Sequence, residues 1–287
     1  MEKTEEGACV AMERRIIVSG GEGLRVFSLP DGALLRRMRL KGSGALCCAG
    51  NMVYCACGTD GRIVGLGAGT LDIKAAFAGG PGICGMCVLG DRLYALCGEG
   101  DGVLMLDAKD GSPLVFARAG QAPMQLKGDE ERRMLAVAGG GDGRVTLLCA
   151  ESMHSLGSEE MPGPVYSVVL LHGRIHALCL SETLDALLVT IRPEGGRHTL
   201  MLHGLPGVLS VQGDALLAAV QGGIYRISAD GKRILAFIPS GGYGRWMAAA
   251  GNQLLCLDAA GERLWAIGGG RRLLICGDAA DAALVDV

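Results

Sequence analysis

The sequence predicts an all-β fold, a single seven-bladed β-propeller built from four-stranded antiparallel blades. Three observations carry this prediction: glycine turn signals recur about every 40 residues, each period holds three of them, and the runs between them are short and apolar. The chain has 48 glycines among 287 residues without a three-residue period, so we interpret them as turn residues.

The period is set by glycines that close one apolar run and are followed by Asn, Asp or Arg and a new apolar run. They are Gly50, Gly90, Gly128, Gly173, Gly213 and Gly251. Successive members lie 40, 38, 45, 40 and 38 residues apart. A repeat of this length is typical of propellers and solenoids.

Two sets of Asp-Gly pairs follow a related spacing. One lies at 60–61, 101–102 and 142–143, and the other at 31–32, 110–111 and 230–231. Asp-Gly between apolar runs favours a tight turn. With the glycines above, three turns fall in each period, which implies four strands.

The runs between these turns favour strands over helices. NMVYCAC (51–57), DRLYALC (91–97) and DALLAAV (214–220) are too short for a typical helix and are apolar at consecutive positions. Such runs indicate strands covered on both faces, as in a propeller blade. Aromatic residues make up only 4% of the chain, so Leu, Met, Cys and Ala are expected to fill the core.

The period divides the chain into seven units, each beginning just before an innermost strand. Their bounds are 7–41, 42–79, 80–120, 121–161, 162–204, 205–241 and 242–277. We therefore expect a flexible N-terminal tail at 1–6 and one propeller domain at 7–287, with six and eight blades as the alternatives. A terminal strand must complete a blade, because a closed ring leaves no exposed sheet edge. Both ACVAM (8–12) and AALVDV (282–287) fit that role.

Two stretches carry a resemblance to a known family. MVYCACGTDGRIVGL (52–66) and RLYALCGEGDGVLMLDAKDG (92–111) each hold an apolar strand with Tyr, a glycine-aspartate turn and a further strand. This pattern resembles the YVTN-type β-propeller repeat. About two blades match the motif of this repeat, and the other blades match only its spacing. It implies a seven-bladed ring, but the family includes binding proteins and enzymes, so it fixes no activity.

Charge and hydropathy argue against two classes of binding partner, nucleic acids and membranes. The formal charge is −3 and the basic residues are scattered, so we expect no nucleic-acid partner. The charged start MEKTEEG differs from a secretory signal, and no apolar run approaches the roughly 20 residues of a membrane span. We therefore expect a cytoplasmic protein without a membrane partner.

Twelve cysteines and five histidines raise the question of metal or thiol chemistry. Cys84 and Cys87 fall inside a predicted strand and lack a second ligand pair at zinc-site spacing, so we expect no metal and assign the cysteines to the core. Pairing across the hairpin at Gly90 would place Cys84 directly opposite Cys97, which predicts two free thiols that oxidise together. His176 takes the position of Tyr54 in its repeat, which favours a packed residue over a metal ligand.

The loops on one rim are the candidate binding surface. Connections between blades and loops between second and third strands emerge on the same face, and they carry Glu22, Asp60, Glu99, Asp101, Asp142, Glu182 and Asp185. This acidic tendency could attract a cation or a basic partner. We interpret most of these acids as turn formers.

One loop, PSGGYGRW (239–246), stands apart from the others. Trp246 aligns with small residues of other repeats (Ala45, Gly85, Pro123 and Val208), and Arg245 and Tyr243 flank it. An aromatic beside an arginine is common in recognition sites. Tyr243, Arg245 and Trp246 are therefore the candidate contact residues, with channel filling as the alternative role for Trp246.

Two classes of function remain after this step. The first is a noncatalytic scaffold or recognition propeller that binds a protein or a small anionic ligand on one rim without a cofactor. The second is a lactonase- or lyase-type propeller enzyme acting at the channel mouth, which would need His, Arg and Glu to converge there. The tryptophan-rich repeat of quinone-dependent propellers is absent, since the chain has two tryptophans.

Overall fold

A computed structural model describes residues 14–29, 31–58, 61–80, 82–240, 242, 244–250, 253–258, 262–268 and 271–286. Its 28 strands form seven four-stranded antiparallel sheets, and the innermost strands contact each other around a central channel. This confirms the predicted seven-bladed β-propeller. No helix in these ranges is long and apolar enough to cross a membrane.

The strands run in order from the channel outward within blades 2 to 7. Blade 2 holds β4 (Ser43–Ala49), β5 (Met52–Cys57), β6 (Arg62–Gly67) and β7 (Ile73–Ala78); blade 3 holds β8 (Ile83–Leu89), β9 (Arg92–Cys97), β10 (Gly102–Asp107) and β11 (Pro113–Arg118); blade 4 holds β12 (Pro123–Asp129), β13 (Met134–Gly139), β14 (Arg144–Cys149) and β15 (Ser155–Glu160). Blade 5 holds β16 (Val165–Leu171), β17 (Arg174–Leu180), β18 (Ala186–Ile191) and β19 (Arg197–Leu202); blade 6 holds β20 (Pro206–Gln212), β21 (Ala215–Val220), β22 (Gly223–Ser228) and β23 (Ile234–Pro239); blade 7 holds β24 (Gly244–Ala250), β25 (Gln253–Asp258), β26 (Arg263–Gly268) and β27 (Arg271–Cys276).

Blade 1 is completed by the C-terminal strand. Its order from the channel outward is β28 (Asp281–Asp286), β1 (Arg14–Gly20), β2 (Gly23–Ser28) and β3 (Leu34–Met38). The segment AALVDV therefore supplies the closing strand, and Ile16 and Val18 of β1 pair with Leu284 and Ala282. The other candidate, ACVAM, and the predicted tail at 1–6 lie outside the described residues.

The core lies between the blades. Seven buried clusters fill the interfaces, and the second strands contribute consecutive buried residues, such as all six of β21. The tyrosines of blades 2 and 3 tie neighbouring blades together, since Tyr54 donates to the Ala108 carbonyl (3.0 Å) and Tyr94 to that of Ala150 (2.8 Å). Burial on both faces explains why polar alternation is missing from the sequence.

His176 occupies the same place in blade 5, as predicted. It is completely buried, and its Nδ1 hydrogen-bonds Thr190 Oγ1 at 2.9 Å. Its Nε2 is buried without a hydrogen-bond partner. Burial lowers the pKa of His176 to about 4, so the ring is neutral at physiological pH.

The structure corrects one predicted turn and one predicted cross-strand pair. Gly128-Asp129 is not a turn, because both residues belong to β12 and Gly128 pairs with Leu135; the turn lies between Asp129 and Met134. Cys84 is not opposite Cys97, because an extra residue in β8 shifts the register and Ile83 takes that place. The predicted hairpin register holds from Gly85 to Leu89, so the error begins at this bulge.

Candidate functional site

The channel mouth is a cavity of about 340 Å³ on the rim where the inner strands begin. Every inner strand or the residue before it contributes to its wall. The lining residues are Gly44, Ala45, Cys84, Met124, Gln125, Tyr166, Gly207, Val208, Gly244, Arg245, Ala280 and Asp281. The cavity has the volume of a small-molecule site.

A bulge that recurs at the same place in the inner strands creates this lining. In blades 2 to 7 the inner strand carries one extra residue near its start relative to the second strand. Such a bulge bends a strand and re-aims side chains. The bulge position, together with Ala280 before β28, is occupied around the ring by Gly44, Cys84, Met124, Tyr166, Gly207, Arg245 and Ala280.

Arg245 is the single cationic residue at these seven positions. Arg245 is exposed, and Met124 and Tyr166 make the part of the wall formed by blades 4 and 5 apolar and aromatic. Its positive charge lies close enough to Asp281 to offset part of the rise in pKa that burial causes for that carboxyl group. The mouth thus combines one exposed guanidinium, one carboxyl group and an apolar wall.

In blades 1, 4 and 5, the side chain of the residue that follows the bulge position accepts a backbone hydrogen bond from the next blade. Asp281 Oδ2 accepts the N–H of Leu46 in blade 2 at 2.8 Å. In the same way, Gln125 Oε1 accepts the N–H of Val168 (2.8 Å), and Ser167 Oγ accepts that of Leu209 (2.8 Å). These polar side chains therefore satisfy backbone donors of the next inner strand.

Asp281 combines this structural bond with a raised pKa. Burial raises the pKa of its carboxyl group to about 6, although the N–H groups of Leu46 and Ala282 and the charges of Arg245 and Lys127 act in the opposite direction. Sequence reasoning missed Asp281 because it lies after the last complete repeat. Its alignment with Trp246 becomes visible only in the closed ring.

Lys127 lies deeper along the channel, on β12. The inner strands around it desolvate its ammonium group and lower its pKa, while nearby Cys87 and Asp281 act in the opposite direction. Burial raises the pKa of Cys87 to about 12, so this thiol is protonated and unreactive as a nucleophile at neutral pH.

Trp246 occupies the position after the bulge but does not line the cavity. Its half-buried indole packs on the blade 7–blade 1 interface, in the cluster that contains Ala279 and Ala282 beside the closing strand. The register aligns it with Ala45, Gly85 and Val208 as predicted, but the blade 4 residue is Gln125 rather than Pro123. Tyr243 lies outside the described residues.

Several rim acids bond to backbone groups of neighbouring loops. Asp101 Oδ1 accepts from Ala122 N (2.8 Å), Asp142 Oδ2 from Gln121 N (3.1 Å) and Asp185 Oδ1 from Gly204 N (2.9 Å). These three carboxylates order the connections between blades. Among the residues that the structure describes, no cluster of three or more His, Cys, Asp or Glu side chains is placed to bind a metal.

No family model matches the sequence, and neither does any curated protein. Solved structures do match. A 6-phosphogluconolactonase-like protein from Bacteroides fragilis has a TM-score of 0.76 at 11% identity, over 98% of this chain and 100% of the other. The Cps50 (Swd1) β-propeller domain from Myceliophteria thermophila has a TM-score of 0.70 at 10% identity, over 87% and 92%.

A third match is BamB from Moraxella catarrhalis, with a TM-score of 0.59 at 13% identity, over 90% of this chain and 81% of the other. At these identities the similarity shows the propeller fold alone. The matched proteins differ widely in name and role, and the fold therefore does not select a function.

Proposed function

We propose that this protein is a noncatalytic recognition propeller that binds a small anionic ligand, or an anionic group of a protein, at the channel mouth. The observation that carries the proposal is the exposed guanidinium of Arg245 in a cavity lined by all seven blades. A guanidinium offers paired N–H donors that match a carboxylate or phosphate.

The surroundings of Arg245 support an anionic guest with an apolar part. Met124 and Tyr166 provide surface for that part, while Gln125 and Cys84 supply polar atoms. Asp281 opposes the guest when it is ionised, because its charge lies close to the same guanidinium. Protonation of Asp281 below its pKa of about 6 should therefore strengthen anion binding.

Trp246 and Tyr243 complete the proposed contact spot. Trp246 is anchored at the interface between blades 7 and 1, where it fixes the strand start that presents Arg245. Tyr243 precedes that strand by one residue. Membership of the YVTN-type family and a cytoplasmic location belong to the same proposal. The first rests on the motifs at 52–66 and 92–111, and the second on the charged start and the lack of a long apolar run.

Calorimetric titration of the purified protein with citrate and with sulfate tests the site. We expect Arg245→Gln to weaken binding at least about tenfold, as for the loss of one charge-assisted pair. Arg226→Gln is the matched control, since Arg226 is exposed on β22 of blade 6, away from the cavity. Equal affinity of wild type and Arg245→Gln for every anion would contradict the proposal.

A second candidate is a lactonase- or lyase-type enzyme acting at the same mouth. The observation that favours it is the carboxyl group of Asp281, whose pKa of about 6 suits acid–base chemistry near neutral pH, together with Lys127, whose pKa is lowered by desolvation. Screening of lactones for hydrolysis, with Lys127→Met as the test variant, separates this candidate from a binding protein. Turnover that depends on Lys127 would favour the enzyme.

A further inference from the structure

A second cleft lies on the same rim, at the outer part of blade 1. Its volume is about 940 Å³, and it is bounded by the turn at Gly21–Glu22, the end of β3, the connection to blade 2 and Asp278. Its wall carries four cationic side chains, Arg25, Arg37, Arg39 and Lys41. Two acids, Glu22 and Asp278, face them, so the lining has an excess of two positive charges.

Two of these arginines are direct cross-strand neighbours. Arg25 of β2 pairs with Arg37 of β3 in the antiparallel register, so both side chains project from the same face. Like charges in this arrangement repel and destabilise a sheet. In the part of the chain that the structure describes, no ion pair relieves this repulsion, because none involves Arg25, Arg37, Arg39 or Lys41.

The backbone around the cleft is closely packed. Gly23 has a φ of +130°, and a Cβ added there would lie 2.1 Å from the Met38 carbonyl oxygen. On the other side, Arg25 donates to the Asp278 carbonyl, and Gly21 N donates to Asp278 Oδ1 at 3.4 Å. These contacts fix the wall of the cleft and the guanidinium of Arg25 before a ligand arrives.

We propose that this cleft binds a small phosphate-bearing ligand, with one phosphate group bridging Arg25 and Arg37. A dianionic group between the two guanidiniums would convert the repulsion into two charge-assisted contacts. Arg39 and Lys41 would hold a second anionic group. The volume fits a small molecule, and the four cations form one cluster rather than a stripe along which a nucleic acid could run.

Pyrophosphate is the probe, titrated by calorimetry at low ionic strength. We expect wild type to bind it and Arg37→Gln to weaken binding at least about tenfold. Arg36→Gln is the matched control, because Arg36 is the preceding residue of the same strand, projects to the opposite face and donates to the Thr70 carbonyl at 2.9 Å. It should change the affinity by less than about twofold, a loss within the range of surface charge effects.

A second measurement needs no ligand. Because Arg37→Gln removes the repulsion with Arg25, we expect its melting temperature in low salt to equal or exceed that of wild type. Added pyrophosphate, in contrast, should raise the melting temperature of wild type more than that of Arg37→Gln. Arg245→Gln should leave pyrophosphate binding intact, which separates this cleft from the channel mouth.

Three results would overturn the proposal. They are no binding of pyrophosphate by wild type, equal weakening by Arg36→Gln and Arg37→Gln, and Arg37-dependent binding of an acidic peptide or an oligonucleotide without binding of pyrophosphate. The last result would assign the cleft to a macromolecular partner instead of a small ligand.

Discussion

Asp281 Oδ2 accepts the backbone N–H of Leu46 at 2.8 Å, which joins two residues 235 positions apart in the chain. Asp281 begins the closing strand β28 of blade 1, and Leu46 lies in the innermost strand of blade 2. The C-terminal strand is thus bound twice, by its ladder with β1 and by this bond to the next blade. Closure of the ring depends on the last few residues of the chain.

Deletion of residues 279–287 should therefore prevent formation of the closed ring. The deletion would expose the inner edge of β1 and the faces of Ile16 and Val18, both completely buried in the intact protein. We expect aggregation or loss of the cooperative thermal transition, measured by size-exclusion chromatography and circular dichroism. Deletion of residues 2–12, which include the other candidate closing segment (8–12), is the control and should have a much smaller effect. Equal damage by both deletions would contradict this prediction.

The protonation of Asp281 predicts a decrease in stability as pH rises. Its folded pKa of about 6 exceeds the unfolded value of about 3.9, so the folded protein binds the proton more tightly between these values and loses stability as pH rises from 4 to 6. We expect a change on the order of 1 to 2 kcal/mol, less than the shift alone implies because the mouth is open to solvent. Urea unfolding of wild type and Asp281→Asn at several pH values measures it. A slope retained in Asp281→Asn would assign the effect to another group.

Features that depend on local sequence signals could be predicted from the sequence, and features that depend on the assembled ring could not. The strands, the turns and the ring follow from local signals, because Asp-Gly pairs and apolar runs act within a few residues. Gly32, Gly111 and Gly231 lie in the predicted turns and adopt a left-handed conformation there, with φ of 71° to 73°. The bulges do not follow from local signals. Each of these inner-strand bulges lies near the start of its strand, and the extra residue shifts Cys84 out of register with Cys97 and puts Arg245 in the lining of the channel mouth.

His176 predicts an opposite pH effect. Its folded pKa of about 4 lies below the unfolded value of about 6.5, so the unfolded chain binds the proton more tightly and the folded state loses stability as pH falls from 6.5 to 4. The full effect is roughly 3 kcal/mol for this buried ring. It partly cancels that of Asp281 in wild type, and single variants are needed to separate the two.

His176→Tyr should remove this loss, because tyrosine fills the same place in blades 2 and 3 and is neutral throughout this pH range. The expected result is a smaller decrease of the free energy of unfolding between pH 6.5 and 4 than in wild type, measured with urea. His203→Gln, a change at an exposed rim histidine, is the control and should leave the wild-type pH dependence. If His176→Tyr retains the full acid loss, the buried ring is not its source.

Trp246→Ala tests how the contact spot is held. The indole packs beside Ala279 and Ala282 at the interface that the closing strand completes, and its truncation would leave a cavity there. Removal of a fully buried tryptophan costs about 3 to 5 kcal/mol, so we expect on the order of 2 kcal/mol for this half-buried one and a melting temperature lower by roughly 4 to 8 °C. Citrate affinity should fall less than in Arg245→Gln, because Trp246 acts through the position of the strand and Arg245 contacts the anion. Trp265→Ala is the control for the loss of an indole. Trp265 lies away from the channel mouth and stacks on Arg272, whose guanidinium carbon is 3.8 Å from the ring centroid.

Unchanged stability with abolished binding would instead make Trp246 a direct contact, and lowered stability with unchanged binding would remove it from the site.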